Sequence, residues 1–464
     1  MNFRNILKNL PEVKGPVEKK LSFNVKLKWT LIILIAFFVL ANVPLYGLAR
    51  NALDRFKYLA IILGTDFGSI ISLGIGPIVM ASIILQLLVG SKILDIDTTT
   101  EEGKKFFQGL QKLVVFFFII FEALVYVLMK GLEAMPGYTA IVIVQLCLGG
   151  LAIVFMDELS NKWGFGSGIS LFIAAGVGWR LFTGMFQFIG AEGGNCLLQF
   201  TGPNSIGCAG KVLIMIQAVI NQVPIEAFKA FAILAVTAII FLIVVWAQSL
   251  KVEVPLAFDR LRGYGIRWPI SFFYASVIPV ILTAALAANL QLFAGLVEGW
   301  LGHPTFLGTF SQGVPVAGLA FWLSSVNILE AVITGSFRGI FILQAISHIL
   351  FYVVFSTIFA VFWVKTSGMD ASSQARNIMG SGLQIPGFRK DERVLESVLS
   401  RYILPLTIMG GMAIGLLAAS ANLLGALTSG TAILLAVMIF YQFYQNIAQQ
   451  HAVDMHPAMR KMMG

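Results

Sequence analysis

Long apolar segments alternate with shorter polar segments along most of the chain. A helix needs about twenty apolar residues to cross a bilayer, and ten segments approach or exceed that length. They cover residues 29–49, 72–91, 111–130, 137–156, 167–186, 227–249, 270–295, 339–364, 401–422 and 428–447. This pattern predicts an all-α polytopic membrane protein with ten transmembrane helices. An even number of spans places both termini on one side of the membrane.

The second segment does not have the composition of a continuous helix. It begins with Gly74, Gly76 and Pro77, residue types that disfavour a helix interior. A shorter apolar run at 58–63 precedes it. Irregular backbone persists inside a bilayer only where protein or a water-filled cavity supplies hydrogen bonds. The stretch 71–88 therefore indicates a path through the membrane, with a kinked packing helix as the simpler alternative.

Two further apolar segments do not fit the count of ten. Residues 314–334 contain Pro315, Asn327 and Glu330, and an eleventh span would put the termini on opposite sides. We expect this segment to form a re-entrant or surface hairpin. Residues 212–222 are too short to cross the bilayer and are expected to lie on the outer face.

The composition excludes a soluble protein. Of 464 residues, 58% are hydrophobic and 12% are charged, against about 25% charged in a soluble domain. The loops on the N-terminal side carry twenty-four of the thirty-two Lys and Arg residues. Because positive loops stay in the cytoplasm, both termini are predicted to be cytoplasmic in a multi-pass protein of the cell membrane.

The spans divide the chain into five parts. These are a cytoplasmic amphipathic N-terminus at 1–28, an N-terminal half at 29–186 with spans 1–5, an outer loop at 187–226, a C-terminal half at 227–448 with spans 6–10, and a cytoplasmic tail at 449–464. Cys196 and Cys208 share the outer loop, where oxidising conditions would permit a disulfide. The sequence leaves open whether this bond forms.

Candidate catalytic and metal-binding residues are few. The four histidines are scattered and no phosphate-binding loop is present, so no metal site or cofactor is predicted. Ser167 and His348 superficially suggest an intramembrane serine protease, although a helix cap and a packed histidine explain them equally well. Glu122 is the clearest ionisable residue inside a span, whereas an ion-coupled secondary transporter would place several carboxylates there.

Two basic loops, at 251–268 and 365–401, allow two interpretations. Their arginines are suited to binding a polyanion such as RNA through phosphate contacts. Alternatively, the charge follows from the positive-inside rule alone and needs no partner. The unusual length of these loops favours a function.

Several segments together resemble the SecY family, whose members form the central subunit of the protein-translocation channel. They are Leu73-Gly-Ile-Gly-Pro-Ile-Val79, Gln86-Leu-Leu88, Gly164-Phe-Gly-Ser-Gly-Ile-Ser-Leu-Phe-Ile-Ala175, Lys251-Val-Glu-Val-Pro255, Ile278-Pro-Val-Ile281, Pro386-Gly-Phe-Arg389 and Gly425-Ala-Leu-Thr-Ser-Gly-Thr431. The resemblance covers nearly the whole chain in order. A Pro-Leu-Ala pattern in the loop between spans 6 and 7 looks archaeal.

The resemblance implies two inverted, pseudo-symmetric halves around an hourglass pore. Its constriction would be a ring of six aliphatic residues, Ile75, Val79, Ile169, Ile173, Ile281 and Leu435. A plug half-helix at about 55–70 would seal the ring from the outer side, including Leu63, Gly64, Thr65, Asp66, Phe67 and Gly68. The implied function is a non-enzymatic channel that translocates unfolded polypeptides and inserts hydrophobic segments into the membrane.

The resemblance also implies a lateral gate between spans 2–3 and 7–8. Gln145 and Asn289 match its polar residues, and we expect them to hydrogen-bond across the closed gate. Met80 stands where many relatives have a hydroxyl, so the polar cluster is smaller here.

Four kinds of partner are implied. They are SecE-like and Sec-beta small membrane subunits, the ribosome (rRNA) or a translocation motor, signal sequences with nascent chains, and the lipid bilayer. Docking of the ribosome or motor is expected at Arg260, Arg262 and Arg389.

Overall fold

The structure is a computed structural model. It describes residues 10–17, 21–51, 68–90, 93–94, 96, 100–129, 132–188, 196–197, 207–258, 265–275, 278–311, 314–380, 383–384, 391–428 and 430–455. Residues 63–67 of the expected plug lie outside these ranges, as do Arg260, Arg262 and Arg389.

Helices dominate the described ranges. They are α1 Phe23–Asn42, α2 Gly76–Gly90, α3 Glu101–Leu128, α4 Thr139–Trp163, α5 Gly168–Phe186, α6 Lys211–Ile220, α7 Pro224–Ser249, α8 Ile278–Leu301, α9 Leu319–Leu323, α10 Ile328–Ile333, α11 Ile340–Thr366, α12 Ala371–Gly380, α13 Glu392–Leu423 and α14 Gly430–Met455.

Short strands in the connecting loops form three small antiparallel sheets. The strands are β1 Leu48–Asn51, β2 Leu132–Ala134, β3 Lys251–Phe258, β4 Gly265–Ser271, β5 Thr309–Ser311, β6 Val314–Ala317 and β7 Leu383–Gln384. β1 pairs with β2 and β5 with β6, and the third sheet has the order β4-β3-β7.

Each of the ten predicted spans coincides with a helix. Among the described residues, nine helices are long and apolar enough to cross a membrane. The second span contains only the fifteen-residue α2. The helices α3 and α13 begin before the predicted spans, because hydropathy marks only the apolar part of a helix that continues into water. In α3, the Thr100 hydroxyl caps this polar first turn by accepting from the Gly103 N–H at 3.1 Å.

The predicted break in the second span is confirmed. Residues 69–75 form successive turns in which the Gly74 N–H donates to the Ile71 carbonyl at 2.8 Å. Gly74 has φ of +54°, a conformation that glycine adopts readily, and α2 begins two residues later. The turns lie directly against α4, where a methyl group at Gly149 would lie 1.9 Å from the Ile70 carbonyl oxygen.

The segment 314–334 does not span the membrane, as predicted. It forms β6, α9 and α10, and α9 lies against the beginning of α11. There, the Gln344 side chain donates to the Phe321 carbonyl at 2.9 Å. The short helix α6 covers most of residues 212–222 and packs against α7.

The N-terminal segment 10–17 is not helical and binds the C-terminal end of α4. The Val13 N–H donates to Glu158 at 3.0 Å, and the Trp163 indole donates to the Lys14 carbonyl at 3.0 Å. Lys162 donates to Glu12, and this hydrogen bond holds the pKa of the Glu12 carboxyl below its ordinary value. The amphipathic helix expected within 1–28 depends mainly on residues 1–9, which lie outside the described residues.

Cys196 and Cys208 form a disulfide with their Cα atoms 5.2 Å apart. This bond, which the sequence left open, closes a loop with a sequence separation of 12. Cys147 is free and half-buried within α4.

We expect Gly149→Ala to destabilise the fold by about 3 kcal/mol, because the added methyl group overpacks the contact between α4 and the broken span. Thermal unfolding of the purified chain in detergent measures this. Gly339→Ala is the matched control, since no atom lies within 4 Å of its added methyl group. Equal effects of the two substitutions would contradict the packing argument.

Removal of the disulfide by Cys196→Ser with Cys208→Ser should lower stability by about 3 kcal/mol, because the bond restricts the unfolded chain. The measurement is the unfolding midpoint with and without reductant. Cys147→Ala, which leaves the bond intact, should keep the sensitivity to reductant. A double variant as stable as the parent chain would refute this contribution.

Candidate functional site

The six residues expected at the constriction belong to four packed helices. Ile75 and Val79 flank the start of α2, Ile169 and Ile173 lie in α5, Ile281 lies in α8, and Leu435 lies in α14. α2 packs against α8, α8 against α14, and α14 against α5. The four helices therefore form a continuous series of contacts that begins at the broken span.

These side chains belong to one hydrophobic cluster. Ile281 is 7% exposed, and Ile75, Val79, Ile173 and Leu435 are buried more completely. Ile169 is half-buried and packs against the same cluster. The six residues therefore contribute branched apolar side chains to a single, largely buried cluster.

The turn between α4 and α5 positions Ile169 and Ile173. The Ile169 N–H donates to the Asp157 carboxylate at 3.0 Å, and the Ser160 hydroxyl donates to the Gly166 carbonyl at 2.7 Å. Ser167 caps α5 by accepting from the Ser170 N–H at 3.5 Å. Polar groups in this turn therefore fix the register at which α5 presents its apolar residues.

A second polar network fixes the start of α14, one turn before Leu435. The Thr431 N–H donates to the Asn422 side-chain oxygen at 2.9 Å. The Asn422 amide nitrogen lies 3.3 Å from His348 Nε2, and His348 Nδ1 lies 2.7 Å from the Leu323 carbonyl oxygen. His348 therefore joins α11 to α9 and to Asn422 of α13, and Asn422 in turn holds the start of the helix that carries Leu435.

Glu122 lies against the break in the second span. Its side chain is 1% exposed, and neither carboxylate oxygen has a hydrogen-bond partner among the described residues. A methyl group at Gly76 would lie 3.0 Å from one of these oxygens. The sequence identifies Glu122 as the clearest ionisable residue inside a span. Its proximity to Gly76 could not be predicted, because no sequence motif links the two positions.

Comparisons with known proteins agree with this architecture. A family model described as SecY matches residues 69–444. The protein translocase subunit SecY of Methanothermobacter thermautotrophicus is 43% identical, over 100% of this chain and 98% of the relative. The chain belongs to the SecY family.

Solved SecY-family structures share the fold. One, a structure of a protein-conducting channel, has 36% identity, covers 99% of each chain and gives a TM-score of 0.81. Another is Sec61 in the canine ribosome-channel complex from the endoplasmic reticulum, with 36% identity, 99% coverage of each chain and a TM-score of 0.78. The chain has the ten-helix fold of these channels.

The structure does not bring together the two residues matched to the SecY lateral gate. Gln145 lies on α4, the fourth span, and its side chain exchanges hydrogen bonds of 3.0 Å with the backbone of Tyr46. Asn289 is buried in α8 and donates to the Ala285 carbonyl at 2.8 Å. The two side chains thus have different hydrogen-bond partners, and the expected hydrogen bond between Gln145 and Asn289 is not formed. The helices of the second, seventh and eighth spans are nevertheless in contact, since α2 packs against α8 and α11.

The protease hypothesis does not describe this SecY-family chain. Ser167 caps the first turn of α5, whereas His348 contacts Leu323 and Asn422 near the beginning of α11. By helix order these ends lie on opposite sides of the membrane.

Within the ranges described, no group of three His, Cys, Asp or Glu side chains is placed to hold a metal.

The two basic loops meet in one sheet on the N-terminal side of the membrane. β3 lies in the first loop and β7 in the second, and Phe258 pairs with Leu383. Arg260 and Arg262 follow directly after β3, and Arg389 follows β7, although the three lie outside the described residues. A second hydrophobic cluster, which includes Val254, Ile270, Ala375, Leu395 and Leu399, packs this sheet region against α12 and α13.

Gly68, the last of the six named plug residues, is hydrogen-bonded beside the end of α1. The Gly68 N–H donates to the Ser72 hydroxyl at 2.8 Å, and the Gly68 carbonyl accepts from the Leu45 N–H at 2.9 Å. The Ile70 N–H donates to the Val43 carbonyl at 3.0 Å. These bonds attach the C-terminal end of the segment to the residues that follow α1.

Proposed function

We propose that the chain is a protein-conducting channel that moves unfolded polypeptides across the membrane and releases hydrophobic segments sideways into it. Membership of the SecY family supports the channel function. The observation that carries the assignment of the pore is the meeting of aliphatic side chains from α2, α5, α8 and α14 beside a broken span. The proposed constriction consists of Ile75, Val79, Ile169, Ile173, Ile281 and Leu435.

Such a ring suits a channel for many different sequences. Branched apolar side chains hold neither water nor ions tightly, so a narrow ring closes by dewetting. The same side chains offer no hydrogen bonds that would retain one particular polypeptide. They can move apart around an extended chain and close again when it leaves.

The proposed lateral exit is the seam that α2 forms with α8 and α11. Hydrophobic segments would leave there because each central Leu, Ile, Phe or Val gains about 0.3–0.6 kcal/mol on insertion. Asn289 remains the candidate polar residue of this seam, and Gln145 is not included.

The segment at about 55–70 is proposed as the plug, which is consistent with the hydrogen bonds that hold Gly68.

We propose that both termini are cytoplasmic. The distribution of Lys and Arg supports this orientation. The Cys196–Cys208 disulfide gives separate support, since it lies in the loop then exposed to the oxidising side.

The ribosome is the proposed partner of the joined basic loops, and a translocation motor is the alternative. The likeness to Sec61 in a ribosome-channel complex supports the first choice. Arg260, Arg262 and Arg389 would contact rRNA phosphates. SecE-like and Sec-beta subunits are proposed to cover exposed apolar helix surfaces, such as that of α1 with Ile35 at 63% exposure.

A photoreactive probe at Ile75 or Ile281 should crosslink to a stalled nascent chain, because both side chains would surround the translocating segment. The measurement is the yield of crosslinked product after irradiation. A probe at Ile35 serves as the control, since this side chain faces outward from α1. Equal yields at all three positions, or none at Ile75 and Ile281, would refute the proposed pore.

Reversing the charge of Arg260, Arg262 and Arg389 together should weaken ribosome binding by at least about tenfold at physiological salt. The loss of three phosphate contacts should also reduce the slope of log affinity against log salt by about 2. Co-sedimentation with ribosomes across a salt series measures both quantities. The control is Arg338→Glu, because Arg338 is exposed and lies on the side of the membrane opposite the two basic loops. Unchanged docking of the triple variant would contradict the assignment.

A further inference from the structure

A cavity of about 310 Å³ lies on the side of the membrane opposite the N-terminus. Its walls come from the start of α6, the first three turns of α7 and the short helix α10. Polar and charged side chains line it, namely Lys211, Gln217, Glu226, Lys229, Asn327 and Glu330. This volume is at the lower end of the range for small-molecule sites, which suits a small polar group.

The two lysines of this cavity form no ion pair with a carboxylate among the described residues. Lys211 and Lys229 are both half-buried, and neither forms an ion pair with any residue that the structure describes. Their two ammonium groups can donate hydrogen bonds to the oxygens of a phosphodiester. Because burial of an unpaired charge is costly, an anionic group at this position would stabilise both.

The cavity also has two carboxylates, so its formal charge is balanced. Glu330 is exposed and accepts from the Asn327 amide at 3.0 Å, while Glu226 is exposed in the first turn of α7. A purely anionic ligand would meet repulsion from these groups. A ligand that carries an ammonium group beside its phosphate satisfies both pairs of side chains.

The surroundings of the cavity are apolar. Ile225 and Phe228, which neighbour Glu226 and Lys229 in α7, are 61% and 58% exposed. On α6, Val219 is 65% exposed. These side chains lie where the end of a span meets the membrane surface and would contact acyl chains, while the charged groups reach the headgroup level.

We propose that this cavity binds the headgroup of a zwitterionic aminophospholipid from the outer leaflet. Lys211 and Lys229 hold its phosphate, and Glu226 and Glu330 hold its ammonium group. The disulfide at Cys208 and the Gln217 side chain, which accepts from the Cys208 N–H at 3.2 Å, shape the wall behind it. The bound lipid would join α6, α7 and α10 at the surface.

Native mass spectrometry tests this on the full chain, extracted in detergent and mixed with equal amounts of phosphatidylethanolamine and phosphatidylglycerol. We expect phosphatidylethanolamine to be retained about tenfold better. Lys211→Gln with Lys229→Gln should abolish that retention, whereas Glu226→Gln with Glu330→Gln should remove only the preference over phosphatidylglycerol. Lys365→Gln, in the last turn of α11 on the other membrane side, should change nothing.

Several results would overturn the proposal. These are equal retention of the two lipids by the parent chain, preference for phosphatidylglycerol, or an unchanged preference in the double lysine variant. Thermal unfolding checks that each variant is folded. If the double variant does not fold, Lys229→Arg and Lys229→Gln replace it: retention must persist in the first, which keeps the charge, and fall in the second.

Discussion

Backbone N–H and C=O groups inside a bilayer must find hydrogen-bond partners within the protein, and at residues 69–75 this chain meets that demand without a helix. Successive turns satisfy part of the backbone, and the close approach of Gly149 packs α4 against the irregular segment. Only then does α2 begin. The proposed pore depends on this arrangement, because Ile75 and Val79 lie where the turns become a helix.

The apolar cluster around the break depends little on hydrogen bonds of its own. The helices that contribute its side chains, however, are fixed by hydrogen bonds at their ends. Asp157 and Ser160 fix the beginning of α5, while Asn422 and His348 fix the beginning of α14. These networks are short and buried or half-buried at helix ends. An apolar cluster can thus be held in a defined position by hydrogen bonds that lie outside it, which is what the proposed constriction requires.

Sequence alone predicted the features that depend on local composition. Hydropathy located the ten spans, and glycine with proline located the break near Gly76. It did not predict the β3–β7 pairing, which joins strands separated by more than a hundred residues through backbone hydrogen bonds. The hydrogen-bond partner of Gln145 was missed for a related reason. A motif match assigns a residue to a span, whereas its partner, the Tyr46 backbone, is set by how a distant loop folds over α4.

The sheet formed by β4, β3 and β7 has a mechanical consequence. Its strands continue into α7, α8, α12 and α13, all of which belong to the C-terminal half. A displacement of the sheet would therefore be passed directly to these four helices. The N-terminal half, which carries the broken span and Gly68, contributes no strand to this sheet among the described residues, so it would receive such a displacement only through its packing contacts with the other helices.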